Sequence, residues 1–261
     1  MKTNPYIGIT DFTDFRQVEK MLTVFNSKVP SSCDYLLHVG VMMSYKTLHN
    51  IPTKWSKAFP HKETIAEIFS SDEVFNCLHY VDYENNDDLA NSIESAIYYG
   101  GKNLDAMQFD MIWPNPNVIR NVFKNKNISV IIQIGRDAFE DVNNNVDIIV
   151  DRISHYEDSI QYVLLDKSMG KGVGMNAKVL LPVIEKIEKD LPNLGVAVAG
   201  GLGPNTMYFA NEIFEKYNGI SIDAQSRLRP SGNALDPIDW SMAENYLKKA
   251  INMACKTVQN Q

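Results

Sequence analysis

The chain has 261 residues, 44% hydrophobic and 22% charged, the balance of an ordinary globular protein. That balance excludes a disordered, collagen-like or coiled-coil chain, and the lack of an apolar run of about 18 residues excludes a membrane-spanning helix. Lys and Arg number 25 against 32 Asp and Glu, a net charge of −7 without a basic run, so neither nucleic acid nor a membrane is expected as partner. The first twelve residues lack the basic-then-apolar pattern of a signal peptide. Cys33, Cys77 and Cys255 are too few and too scattered for a disulfide framework or a zinc knuckle. They read as three inert thiols in a reducing cytosol, and the expected location is cytoplasmic.

The predicted elements alternate along the chain. An apolar run at residues 6–10 precedes a helical stripe over 14–25, in which Phe15, Val18, Met21, Leu22 and Phe25 share one side. The run at 35–42 leads into a long connection, 43–62, and a short helix over 63–69. Strand runs at 74–81, 104–109 and 129–134 are followed by helical patterns over 87–99, 117–123 and 145–156. The last runs, 160–165, 195–199 and 219–222, precede helices over 179–187, 205–214 and 241–251. Strands this continuously apolar suit a parallel sheet buried on both faces.

Eight such units predict an α/β fold, a (β/α)8 barrel forming a single domain over 1–261. An open doubly wound sheet is the alternative, but no G-x-G-x-x-G follows the first strand. In a barrel the connection 43–62 lies over the C-terminal mouth, where active sites are built.

Function is then read at the strand ends. Polar residues interrupt apolar runs there, and a buried polar group needs a partner or a ligand. On this ground His38, His79, Gln108, Asp110, Gln133 and Asp223 are candidate substrate-binding residues. After strand seven, Gly200-Gly201 brings backbone N–H groups within reach of an anion, ahead of a helix start. After strand eight, Ala224-Gln225 offers further amides, with Arg227 and Arg229 close by in sequence. These two loops are the usual phosphate site of the fold, so Gly200, Gly201, Ala224, Gln225 and Arg229 are the candidate phosphate ligands. Lys167 is a possible Schiff-base lysine, but alternation turns it away from the face of Asp166.

The second half of the chain resembles phosphoribosylanthranilate isomerase, one of the ribulose-phosphate-binding barrels. Ala199-Gly200-Gly201-Leu202-Gly203-Pro204 is similar to that family's Ser/Ala-Gly-Gly-Leu-x-Pro. Leu164-Leu165-Asp166, followed by Gly170, Gly172 and Gly174, resembles its Leu-Leu-Asp and glycine-rich loop. Ile7-Gly8-Ile9-Thr10 resembles Cys-Gly-Ile-Thr of its first strand. The resemblance implies a phosphorylated substrate and Asp166 as catalytic acid. The family's cysteine base has Ile7 at its place, so ordinary isomerase activity is not expected. Asp11 is the candidate to act instead, on a substrate held higher in the mouth. A second resemblance, of Leu37-His38-Val39-Gly40-Val41-Met42 to the His-x-Asp-x-Met run of ribulose-phosphate epimerases, implies a divalent metal shared with His79. Gly40 and Met43 replace two of that family's ligands, and the expectation is no metal and no cofactor.

The first reading is therefore an enzyme performing isomerase-like proton transfer on a small phosphorylated sugar or ring-bearing metabolite. The alternatives are a barrel that binds a phosphorylated ligand without turnover and a metal-dependent epimerase-like enzyme.

Overall fold

The computed structural model describes residues 3–84, 88–168 and 174–255. Eight parallel strands close in chain order: β1 (Tyr6–Thr10), β2 (Leu36–Ser44), β3 (Phe75–Val81), β4 (Ala106–Asp110), β5 (Ser129–Gly135), β6 (Tyr162–Asp166), β7 (Gly195–Val198) and β8 (Ser221–Ala224). Closure is made by β1 on β8, with Ile7 opposite Ile222 and Gly8 opposite Asp223. The expected (β/α)8 barrel is the fold.

Helices surround the strands: α1 (Phe15–Lys28), α2 (Tyr45–Leu48), α3 (Ile65–Ile68), α4 (Leu89–Gly100), α5 (Pro116–Phe123), α6 (Arg136–Asp141), α7 (Val146–Ser154), α8 (Ala177–Asp190), α9 (Asn211–Lys216) and α10 (Trp240–Ala254). α1 starts where Asp14 and Gln17 form a reciprocal capping box, so Asp14 supplies the cap and Asp11 does not. α2 was not legible as a helix because it is a single turn, started by the Ser44 and Thr47 side chains. The helix expected over 205–214 is split into a 3-10 turn, Met207–Ala210, and α9. The Thr206 hydroxyl donates to the Gly201 carbonyl at 2.7 Å, which holds the entry to this segment as a turn.

Strand alternation divides the apolar residues into two bodies. Ile7, Ile9, Val39, Val41, Val163, Val196 and Ile222 face outward and pack in the large cluster under the helices. Tyr6, Phe75, Cys77, Ala106, Ile131, Tyr162 and Ala197 face inward and fill the lower pore. The Tyr6 ring stacks on His38 at 4.7 Å and meets Tyr162 edge-on at 5.4 Å. The bottom of the barrel is thus plugged, and a cavity lies above the plug at the C-terminal end.

One expectation about the cysteines is corrected. Cys33, in the α1–β2 connection, and Cys255, just after α10, form a disulfide with Cα atoms 5.6 Å apart. They are far apart in sequence, but α1 and α10 are neighbours once the barrel closes, and Lys20 faces Glu244 across them at 3.8 Å. Only Cys77 is a free thiol among the described residues, and it is buried. Inert thiols were the ground for expecting a reducing compartment, and the pairing removes that ground.

The bridge closes a loop with a sequence separation of 222 residues. By chain entropy a cross-link of this span contributes roughly 5 kcal/mol at most. Reduction, or Cys255→Ser, is expected to lower the unfolding free energy by about 2–5 kcal/mol in urea titrations. Identical midpoints with and without reductant would contradict a stabilising cross-link.

Candidate active site

Above the aromatic plug the inward positions become polar. Thr10, His79, Gln108, Asp110, Gln133, Asp166 and Asp223 line one cavity of about 660 Å³ at the C-terminal mouth. Two inward glycines make room for them. A Cβ at Gly8 would stand 2.4 Å from Asp223 Oδ1, and one at Gly40 would stand 2.5 Å from Thr10 Oγ1. No side chain fits at either position, so polar groups from neighbouring strands approach each other across them.

Most of these groups satisfy one another, as buried polar groups must. The Thr10 hydroxyl donates to Asp223 at 2.9 Å. Gln108 Nε2 donates to Gln133 Oε1 at 2.9 Å, and Gln133 Nε2 donates to Asp110 Oδ1 at 2.8 Å. This relay fixes both amides and leaves Gln108 Oε1 buried without a partner. Asp166 accepts from the Ser168 amide at 2.7 Å and its hydroxyl at 2.6 Å. The His38 and His79 Nε2 atoms lie 3.3 Å apart.

Burial sets the electrostatics. Asp223 is pushed up to about 7, chiefly because it is stripped of water, with Asp11 and Asp166 adding repulsion and the Thr10 hydroxyl opposing the rise. Asp110 is also pushed up to about 7 by desolvation, against a hydrogen bond from Tyr83, with repulsion from Asp166 and Asp137. Desolvation pushes His79 down to about 3 and His38 well below its ordinary value, so both imidazoles are neutral. Two carboxyl groups that titrate near neutrality in one cavity can give or take a proton there.

The loops after β7 and β8 form the opposite wall. Gly200 and Gly201 both adopt positive φ, 124° and 63°, and they line the cavity with Leu202, Gln225 and Ser226. Among the described residues, the backbone N–H groups of Gly200, Gly201 and Leu202 donate to no other group. Consecutive free amides on such a turn make an anion-binding concavity. Gly203 brings the two loops together, because a Cβ there would lie 2.7 Å from the Arg227 carbonyl oxygen. The third wall comes from the β2–β3 connection, where Tyr45, Trp55 and Phe59 face the cavity and the Trp55 and Phe59 rings stack at 5.3 Å.

Several expected site residues lie elsewhere. Arg229 is buried behind β8, where it donates to Asp11 Oδ2 at 2.5 Å, to the Gln225 carbonyl at 2.8 Å and to the Asp236 carbonyl. Asp11 is the other half of that ion pair and also accepts from Gln225 at 3.2 Å. Neither lines the cavity. Alternation along β1 already keeps Asp11 out of the pore, because Ile7 and Ile9 face the helices, and the chain turns at Asp11 with a φ of 88°. Ile7 itself faces the helices, and the inward residue at that level of β1 is Gly8. Ala224 packs outward, with Asp223 inward beside it. His38 lies beneath the cavity floor. Lys167 points away from the cavity, with Nζ 2.5 Å from Asn144 Oδ1 and over the Phe139 ring. Gly170 and Gly172 lie outside the described residues. Ser168 was missed, although an Asp two residues before a Ser is a local turn signal.

No protein-family model matches the sequence, and no curated protein matches it. Among solved structures the chain is similar to phosphoribosylanthranilate isomerase from Thermotoga maritima, with a TM-score of 0.59 and 17% identity over 94% of this chain and 99% of that one. It is also similar to the tryptophan synthase alpha chain from Legionella pneumophila subsp. pneumophila, with a TM-score of 0.50 and 10% identity over 96% of this chain and 92% of that one. At these identities the likeness is one of fold.

The raised Asp223 carboxyl makes folding pH-dependent. A folded-state value of about 7 against an ordinary 3.8 means the folded chain binds the proton more tightly, so stability falls as pH rises through that interval. Asp223→Asn lacks this loss. Between pH 4 and pH 7 its unfolding free energy should gain on the wild type by at least about 1 kcal/mol, less than one pK unit's worth of linkage. A difference independent of pH would contradict the assignment.

Proposed function

We propose that the cavity binds a small phosphorylated metabolite and that the protein is an enzyme transferring a proton on it. The observation that carries the reading is the pair of left-handed glycines, Gly200 and Gly201, with their amides unused at the cavity wall. The phosphate sits on these amides and on those of the β8 loop, Gln225 and Ser226. Backbone amides supply the binding in this reading, since Arg229 is engaged by Asp11.

The rest of the substrate extends across the mouth toward Trp55, Phe59 and Tyr45, whose rings suit a flat or apolar second half. Asp166 stands beside the phosphate loop, with Oδ1 3.4 Å from the point where a Gly200 Cβ would be. It is the proposed acid, and Asp110 or Asp223 is the proposed partner in proton transfer. Carboxyl groups poised near neutral pH favour turnover over simple binding, because a passive pocket has no need of them. The reading does not extend to ordinary phosphoribosylanthranilate isomerase activity. On β1 the inward side chains are Tyr6 in the plug and Thr10 on Asp223, and Gly8 between them offers no base.

Calorimetric titration with ribose 5-phosphate tests the phosphate assignment. Gly201→Glu puts a negative side chain into the concavity and should abolish binding in a protein that still melts cooperatively. Unchanged affinity in that variant would contradict the site.

A further inference from the structure

Beneath the cavity floor, three side chains converge that the proton chemistry above does not use. His38 on β2 and Cys77 and His79 on β3 point into the pore, and all are buried. Their donor atoms lie within 4.8 Å of one another. We propose that His38, Cys77 and His79 form a binding site for a late first-row divalent metal ion, zinc foremost, at the floor of the cavity.

Three features support it. The two Nε2 atoms are 3.3 Å apart. Two nitrogens bound to tetrahedral zinc at about 2.0–2.1 Å are separated by about 3.3–3.4 Å, so the imidazoles already have the spacing of ligands. The donor set of two imidazoles and a thiol suits zinc and disfavours magnesium or calcium, which prefer oxygen ligands.

The third feature is His38 Nδ1, which is buried with no hydrogen-bond partner. A ligand histidine coordinated through Nε2 carries its hydrogen on Nδ1 and usually gives it to a carboxylate. Asp223 is the carboxylate on that side. The position of a Gly8 Cβ lies 2.4 Å from Asp223 Oδ1 and 3.0 Å from His38 Nδ1, so the two groups share the space above Gly8. The Tyr6 ring, stacked on His38 with an interplanar angle of 19°, fixes the plane of the imidazole.

Three protein ligands leave one tetrahedral position. Of the three, only His79 reaches the cavity, in company with Thr10 and Asp223. The open position therefore faces the cavity, where it takes water or a substrate oxygen. As the Cys77–metal bond forms, the thiol proton passes to solvent. The site is independent of the phosphate assignment, and its test reads neither phosphate binding nor turnover.

The test uses Co²⁺ added to the metal-free, disulfide-intact protein, followed by absorption spectroscopy. The expected result is one equivalent bound, with the near-ultraviolet charge-transfer band of a thiolate–cobalt bond and release of a proton. Zn²⁺ should displace it. Cys77→Ala should abolish the band while the protein stays folded, and His79→Gln should weaken Co²⁺ binding at least about tenfold. Absence of the band in the wild type would overturn the site. So would a band that survives Cys77→Ala, or unchanged affinity in His79→Gln. Should Cys77→Ala fail to fold, the wild-type spectrum and His79→Gln decide the matter by themselves.

Discussion

The interior of a closed eight-stranded barrel is only as wide as the side chains that fill it, and every second residue of each strand must point there. That parity is the constraint on which the molecule depends. It sends Ile7, Ile9, Val39 and Val41 out to the helices. It sends Thr10, His38, His79, Gln108 and Asp223 in, where they are almost wholly buried. Polar groups so placed must pair, and pairing needs proximity. Gly8 and Gly40 provide it by leaving the inner face of β1 and β2 bare at two levels.

The chemistry of the mouth follows from this crowding. Asp223 and Asp110 are held near the protonation midpoint at neutral pH chiefly because burial strips them of water. Arg229 is drawn behind β8 by Asp11. Breaking that buried pair by removing one partner leaves an uncompensated charge, so it acts as a fixed bracket joining the ends of β1 and β8. Arg229 is thereby kept out of the cavity, whose wall carries the unused amides of Gly200 and Gly201.

Much of this was legible in the sequence. Eight apolar runs alternating with helical stripes specify the barrel, because parallel strands buried on two faces need continuous hydrophobicity. Polar residues at the strand ends were legible for the same reason, as interruptions of that hydrophobicity. His79, Gln108, Asp110, Gln133, Asp166 and Asp223 all line the cavity. What could not be read was direction at the strand termini. Alternation tells which residues share a face but not which face meets the pore, and on β1 the face of Ile7 and Ile9 meets the helices. Ile7 was compared by motif with a base, although its parity faces the helices. The Cys33–Cys255 bridge was hidden because the two ends of a barrel meet only when the sheet closes. The trio at the floor was hidden in part because Cys77 sits within an apolar run and reads as core.

The central claim is that phosphate is held by the unused amides of the β7 loop. A crystal structure of the protein grown or soaked with ribose 5-phosphate tests it most directly. The account predicts phosphate density within hydrogen-bond distance of the Gly200, Gly201 and Leu202 amides, with the sugar directed toward Asp166. Density for the phosphate at any other place in the mouth, with those amides still unengaged, would contradict it.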